Sequence, residues 1–363
     1  MSPPQPRPGL LTIAPYVGGE SSIPGLTRVV KLSSNESPFG PSPRAIEACR
    51  RAAQNLHRYP DGSSRLLREA IGRRHGLDPA RLVCGSGSDE LLGLLCHAYA
   101  GSGDEVIHTG HGFLMYGIFT RSAGAIEVVA PETDLRVDVD AILAAVTPRT
   151  RVVFLANPGN PTGTCLPAAE VRRLRGGLPE SVLLVIDAAY AEYVTRADYS
   201  PGVDLVDAGA NTVMTRTFSK IYGLGGLRLG WAYCPPAVAD VLNRARSPFN
   251  VNAVAQAAGT AAIEDVAFME RAQAHNSRWL PLLSARLTAA GLGVTDSVAN
   301  FVLARFPTDD PARGADAADR LLQSRGLIVR RVASYGLPDA LRITIGLDED
   351  MTAVADALTE FMA

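Results

Sequence analysis

The chain lacks the usual marks of a membrane, secreted or nucleic-acid-binding protein. Its 363 residues carry 35 basic against 37 acidic side chains, a net of −2. That balance supplies no electrostatic drive toward nucleic acid or an anionic membrane. The arginine doublets at 50–51, 73–74 and 172–173 are scattered and read as solvated helix faces. No run approaches the ~18 apolar residues that a membrane span requires. The opening M-S-P-P-Q-P-R-P-G is rich in proline and has no apolar stretch of the kind a secretory signal needs. Cysteine is sparse: Cys49, Cys84, Cys96, Cys165 and Cys234 are odd in number and include no C-x-x-C. Free, mostly buried thiols in a reducing compartment are expected, hence a cytoplasmic protein. On that reading the glycosylation sequon Asn35-Glu36-Ser37 is a coincidence.

What is present is ordinary globular composition, with 47% hydrophobic and 20% charged residues, which excludes extensive disorder. The length exceeds the ~250–300 residues at which one core stops growing, so two domains are expected. There is no internal repeat. From about residue 80, apolar runs such as R-L-V-C (81–84), E-V-I-H (105–108), R-V-V-F-L-A (151–156) and V-L-L-V-I-D (182–187) alternate with helical patterns. Continuous apolar strands among helices predict an α/β fold whose mostly parallel sheet is covered on both faces. Functional residues should gather beyond the carboxyl ends of its strands. After residue 250 the pattern changes to long helices followed by F-V-L-A-R-F (301–306), G-L-I-V-R-R (326–331) and L-R-I-T-I-G (341–346), a smaller α+β domain. The expected division is an arm over 1–30, a large domain over 31–250 and a small domain over 251–363.

Four segments carry chemistry. In T-R-T-F-S-K-I-Y-G-L-G-G-L-R-L-G-W (215–231), Lys220 closes a strand beside Thr217 and Ser219, and Arg228 follows a glycine-rich turn. A desolvated lysine is an amine nucleophile. Hydroxyls with an arginine form a phosphate site. A cofactor bearing both an aldehyde and a phosphate, pyridoxal 5′-phosphate, would use both; a surface lysine in a flexible loop is the plain alternative. In V-L-L-V-I-D-A-A-Y (182–190) an apolar strand ends in Asp187. A buried carboxylate needs a cationic or hydrogen-bonding partner; a protonated pyridine nitrogen would serve, and so would the start of the next helix. L-A-N-P-G-N-P-T-G (155–163) is a turn forced by two Asn-Pro steps. C-G-S-G-S-D-E-L-L (84–92) joins strand, glycine turn and helix start, which presents backbone N–H groups to an anion. It is neither a Walker loop nor a full G-x-G-x-x-G, and Asp89 there serves equally as a helix cap. His108 and His111, spaced i, i+3 without a third ligand, do not make a metal site.

In order and spacing, these blocks resemble the fold-type-I, class I/II pyridoxal-phosphate aminotransferases. A-P-Y-V-G-G (14–19), L-S-S-N-E-S-P-F-G-P-S-P (32–43) and R-Y-P-D-G (58–62) resemble the subgroup that acts on histidinol phosphate. The resemblance implies that Lys220 forms the Schiff base and Asp187 pairs with the pyridine nitrogen. It implies that Tyr190 and Asn160 bind the phenolic oxygen, and that Phe113 stacks on the ring. Ser88, Asp89, Ser219 and Arg228 would hold the phosphate, with Tyr59 reaching it from a second subunit in a homodimer with shared sites. Arg330 and Arg342 would bind the substrate's distal anion, with Arg331 a competing register, and Tyr16 of the arm would close over it. The family usually has D-E-A-Y where this chain has Asp187-Ala188-Ala189-Tyr190; position 188 should face away from Asp187. The implied reaction is transamination between L-histidinol phosphate and 2-oxoglutarate in histidine biosynthesis. An aromatic amino acid transaminase or a phosphothreonine decarboxylase would share nearly every motif.

Overall fold

The computed structural model describes residues 3–7, 9–26 and 29–363. Seven strands form the large sheet: β1 (Leu82–Gly85), β2 (Glu105–Thr109), β3 (Ile126–Ala130), β4 (Thr150–Ala156), β5 (Leu183–Asp187), β6 (Thr212–Thr217) and β7 (Gly230–Tyr233). Their spatial order is β1-β7-β6-β5-β4-β2-β3. β2 to β6 pair in parallel, and β7 runs antiparallel to both its neighbours. The reversal has a local cause. Residues 218–229 return the chain from β6 to β7 without a crossover helix, and only an antiparallel partner can be reached that way.

Side chains alternate across the sheet. Leu183 and Val185 pack with the helix Ser88–Tyr99, while Leu184 and Ile186 pack with the helix Ala168–Gly177. β5 and β6 are buried throughout; the edge strand β3 exposes Ile126 and Val129. The runs read as strands in the sequence all lie in these elements. β7 was not foreseen as a strand, nor were the helices Pro43–Ala53 and Arg65–His75 as helices. The first of these opens on a Ser42 side chain that accepts the Ala45 N–H, with proline in its first turn, which is a sequence-level start signal.

A second, antiparallel sheet comprises β8 (Gly293–Val294), β9 (Phe301–Arg305), β10 (Arg330–Val332) and β11 (Leu337–Thr344), in the order β8-β9-β11-β10. Its apolar face packs on the helices Val266–Ala289, Ala315–Ser324 and Asp348–Met362. The segment G-L-I-V-R-R divides in two: Leu327–Ile328 pairs with Val30–Lys31, and Arg330 begins β10. Leu32 joins the same core, so the segment after Lys31 is pinned against the smaller sheet as it crosses toward the large one. The helix Val266–Ala289 also spans both bodies, with Met269 and Ala272 in one core and Leu283 and Leu287 in the other. We propose an arm, a large domain and a small domain as the units of this architecture, tied together by those two segments. Among the described residues, no helix is long and apolar enough to cross a membrane.

Candidate active site

One pocket lies beyond the carboxyl ends of the large sheet's parallel strands, where the smaller sheet meets them. The turn after β1 contributes Ser88 and Asp89, and the loop after β2 contributes Phe113. The turn after β4 brings Pro158 and Asn160, β5 ends in Asp187 with Tyr190 just beyond, and β6 leads into Ser219, Lys220 and, further on, Arg228. Arg330 and Arg342 enter from β10 and β11, and Tyr16 from the arm. Of the expected site residues Tyr59 alone is outside it: it is 84% exposed and stacks on Phe249 at 4.7 Å between ring centroids. Arg331 turns away and pairs with Asp316, so the register at this pair of arginines puts Arg330 at the pocket. Ala188 is fully buried in the apolar core, and Ala189 faces the pocket in its place.

The anion-facing end is built around two glycines. Gly87 has φ +83°, and a Cβ there would stand 2.5 Å from Arg228 Nη2. A Cβ on Gly230 would stand 2.3 Å from the backbone nitrogen of Ser88. Their bare backbones let Arg228, β7 and the start of the helix Ser88–Tyr99 converge. Arg228 donates to Asp89 Oδ2 at 3.0 Å and to Ser219 Oγ at 3.4 Å. A guanidinium, a hydroxyl and the free N–H groups of a helix start suit a phosphate.

Deeper in, Asp187 is buried without a cationic partner among the described residues. Tyr116 donates to its Oδ2 at 2.8 Å and Thr215 to its Oδ1 at 3.3 Å. Burial raises its carboxyl pKa from the ordinary 3.8 to about 6, against the lowering effect of the Tyr116 hydrogen bond. Lys220 Nζ donates to the Ser34 carbonyl at 3.2 Å. Burial, and then the charge of Arg342, lower its pKa from 10.5 to about 8. Burial likewise pushes the Tyr190 hydroxyl well above its ordinary range, and Asn35 Nδ2 donates to it at 2.8 Å. Arg342 spends Nη1 on Asn160 Oδ1 and Nη2 on the Ser33 carbonyl, while its Nε is buried without a partner.

These features suit pyridoxal phosphate. An amine close to neutrality, a buried carboxylate in need of a cation and an anion cradle at the opening of a helix match its aldehyde, ring nitrogen and phosphate. Sequence reasoning missed Tyr116, Thr215, Asn35 and Tyr335, all at or behind the pocket wall. Asn35 sits inside a segment noted for its family likeness but with no role attached. Tyr116 lies in the first turn of the helix Met115–Ala123, and nothing in the sequence distinguishes it from a core tyrosine.

The chain belongs to the class I and II aminotransferases, whose family pattern it matches over residues 27–358. Over its full length it is 60% identical to the histidinol-phosphate aminotransferase of Paramagnetospirillum magneticum, covering 99% of that relative. It is 55% identical to the enzyme of the same name from Rhodopseudomonas palustris, with all of both chains aligned. The crystal structure of histidinol-phosphate aminotransferase from Sinorhizobium meliloti in complex with pyridoxal-5′-phosphate superposes with a TM-score of 0.88 at 30% identity, over 99% of this chain and 98% of that one. A single mutant of the aspartate aminotransferase of Thermus thermophilus superposes with a TM-score of 0.80 at 26% identity, over 92% of this chain and 91% of that one.

Proposed function

We propose that the protein is a pyridoxal-phosphate-dependent transaminase that exchanges an amino group between L-histidinol phosphate and 2-oxoglutarate in histidine biosynthesis. The observation that carries this reading is Arg342. It is a buried guanidinium with an unpartnered Nε, in the same pocket as the Lys220 amine and the Asp187 carboxylate. The phosphate of histidinol phosphate and the distal carboxylate of glutamate can take turns on one such group. The names borne by full-length relatives agree with that choice of substrate.

Pyridoxal phosphate, when bound, supplies the electron sink that makes a substrate Cα–H bond acidic. Ser88, Ser219 and Arg228 would hold its phosphate, aided by the helix start at Asp89, and Phe113 would cover its ring. Asp187 keeps the ring nitrogen's proton in place. Tyr190 and Asn160, which line the same pocket, would bind its phenolic oxygen. Lys220 Nζ, with a pKa lowered to about 8, would hold the cofactor through its aldehyde and would carry the Cα proton as general base and acid. Arg330 and Arg342 fix the distal anion, and Tyr16 covers the substrate from the arm.

The enzyme acts as a cytoplasmic homodimer in this proposal. Free thiols at all five cysteines support a reducing compartment. Tyr59, Leu56 and Leu66 are apolar and highly exposed on one chain, as expected of a face that a second copy covers, and Tyr59 would then enter the partner's site.

Spectrophotometric half-reactions test the substrate. Histidinol phosphate should convert the pyridoxal form faster than phenylalanine or dephosphorylated histidinol. Arg342→Ala should weaken both histidinol phosphate and glutamate, each by about 2–5 kcal/mol, because a buried charge-assisted partner is lost. Histidinol should be little affected. A better rate with phenylalanine, or release of CO₂, would replace the substrate and leave the cofactor site standing.

A further inference from the structure

Three consecutive residues of the segment that links the two sheets hold three site side chains. The Ser33 carbonyl accepts from Arg342 Nη2 at 2.7 Å, and the Ser34 carbonyl accepts from Lys220 Nζ at 3.2 Å. Asn35 meets Tyr190. Asn35 is 1% exposed and has φ +56°, a left-handed conformation that asparagine tolerates better than most residues.

Every polar group of Asn35 is engaged, and the network sets the direction of each bond. Its backbone N–H donates to Thr344 Oγ1 at 3.0 Å, and its carbonyl accepts from Asn300 Nδ2 at 3.0 Å. The Thr344 oxygen already accepts from the backbone, so its own proton goes to Asn35 Oδ1 at 3.2 Å. That assigns oxygen to the Thr344 side of the amide and leaves Nδ2 to donate to the Tyr190 hydroxyl at 2.8 Å. A hydroxyl that accepts this bond must send its single proton elsewhere. The charged and titratable groups around Tyr190 are Arg342, Tyr335, Asp187, Tyr116 and Tyr193, with Lys220 Nζ 5.8 Å from its ring centroid. Arg342 and protonated Lys220 are donors only. The carboxylate and the other tyrosine hydroxyls could accept, but among the described residues no hydrogen bond joins the Tyr190 hydroxyl to any of them, so its proton is directed into the pocket that Tyr190 lines.

We infer that Asn35 is a positioning residue whose amide orients the Tyr190 hydroxyl, so that it acts as a donor toward the reacting centre. The inference rests on the transaminase reading, in which that donor meets the phenolic oxygen of the cofactor. A donor there stabilises the oxygen's negative charge and lowers the proton affinity of the conjugated system, which is read as the pH midpoint of the cofactor's visible absorbance.

Asn35→Asp keeps the shape and tolerates the left-handed backbone, but presents an acceptor that draws the Tyr190 proton away from the pocket. In the cofactor-loaded protein the midpoint should rise, by about 1 pH unit or more. The new charge alone could also raise it, so the same substitution is made in Tyr190→Phe protein, where the shift should be much smaller. Equal shifts in both backgrounds, or no shift in either, would overturn the inference. If Asn35→Asp does not fold, Asn35→Gly retains the backbone conformation and removes the amide. It should shift the midpoint the same way but less, again chiefly when Tyr190 is present; equal or absent shifts overturn the inference here too. Failure of the underlying reading would look different: if the cofactor assignment is wrong, the unsubstituted protein binds no pyridoxal phosphate and shows no visible absorbance, and if only the reaction is wrong, the absorbance remains while histidinol phosphate fails to convert it.

Discussion

A carboxylate placed where no water reaches must be neutral, paired or costly, and Asp187 shows all three options at one residue. Its folded pKa of about 6 exceeds the ordinary 3.8. The cofactor-free folded protein thus holds a proton there more tightly than the unfolded chain does. The penalty is absent below about pH 4, grows as pH rises, and is complete above about pH 6. Cofactor-free protein should therefore lose stability across that window, by roughly 2–3 kcal/mol from this residue. Asp187→Asn should flatten the profile in urea unfolding measured from pH 4 to 7.5, and raise stability at neutral pH. The same substitution should slow Cα deprotonation by orders of magnitude while changing donor affinity little. A variant less stable than the parent at pH 7 would mean that the carboxylate is already compensated. Asp187 was legible because an acid closing an apolar strand is conspicuous. Its partner Tyr116 was not, since 71 residues separate them and only the fold closes that gap.

At the scale of elements, what matters is how near one backbone can come to another. The helix Ser88–Tyr99 opens its N–H groups toward Arg228 because Gly87 and Gly230 bear no side chain. Gly87→Ala would meet both an unfavourable φ of +83° and a contact at 2.5 Å. It should cost about 1 kcal/mol or more in stability from the backbone alone and should weaken cofactor binding as Arg228 is displaced. Gly176→Ala is the control: its Cβ meets nothing within 4 Å in the helix Ala168–Gly177, so stability should hold or rise slightly. Thermal melting with and without pyridoxal phosphate measures both. Equal effects of the two substitutions would remove the cradle from the argument. The glycines could be seen in the sequence as turn residues; the tight approach of Gly87 to Arg228 and of Gly230 to Ser88, each across more than 100 residues, could not.

At the scale of the whole molecule, Tyr59 raises the question of a second chain. It lies outside the pocket of its own chain, on a surface shared with Phe249. If it serves a partner's site, Tyr59→Ala and Lys220→Ala protomers mixed and re-associated will form hybrids with one site holding both native residues and one holding neither. Activity should exceed the sum of the two parents. No gain, or a particle that stays monomeric in sedimentation at assay concentration, would count against shared sites.

Local pattern by itself determined the covered parallel sheet, the strand-end placement of Asp187, the place of Lys220 just beyond a strand that ends at Thr217, and the Asn-Pro and glycine turns. In each case the cause lies within a dozen residues: alternation of apolar runs, a fixed proline φ, a missing Cβ. The tertiary structure alone decided that Arg330 and not Arg331 faces the pocket, because which arginine turns inward depends on how β10 pairs with β11. It alone decided that Ser33, Ser34 and Asn35 grip Arg342, Lys220 and Tyr190. Those contacts cross as many as 309 residues of chain and exist only where two separately packed sheets are brought together, a relation that no spacing along the sequence encodes.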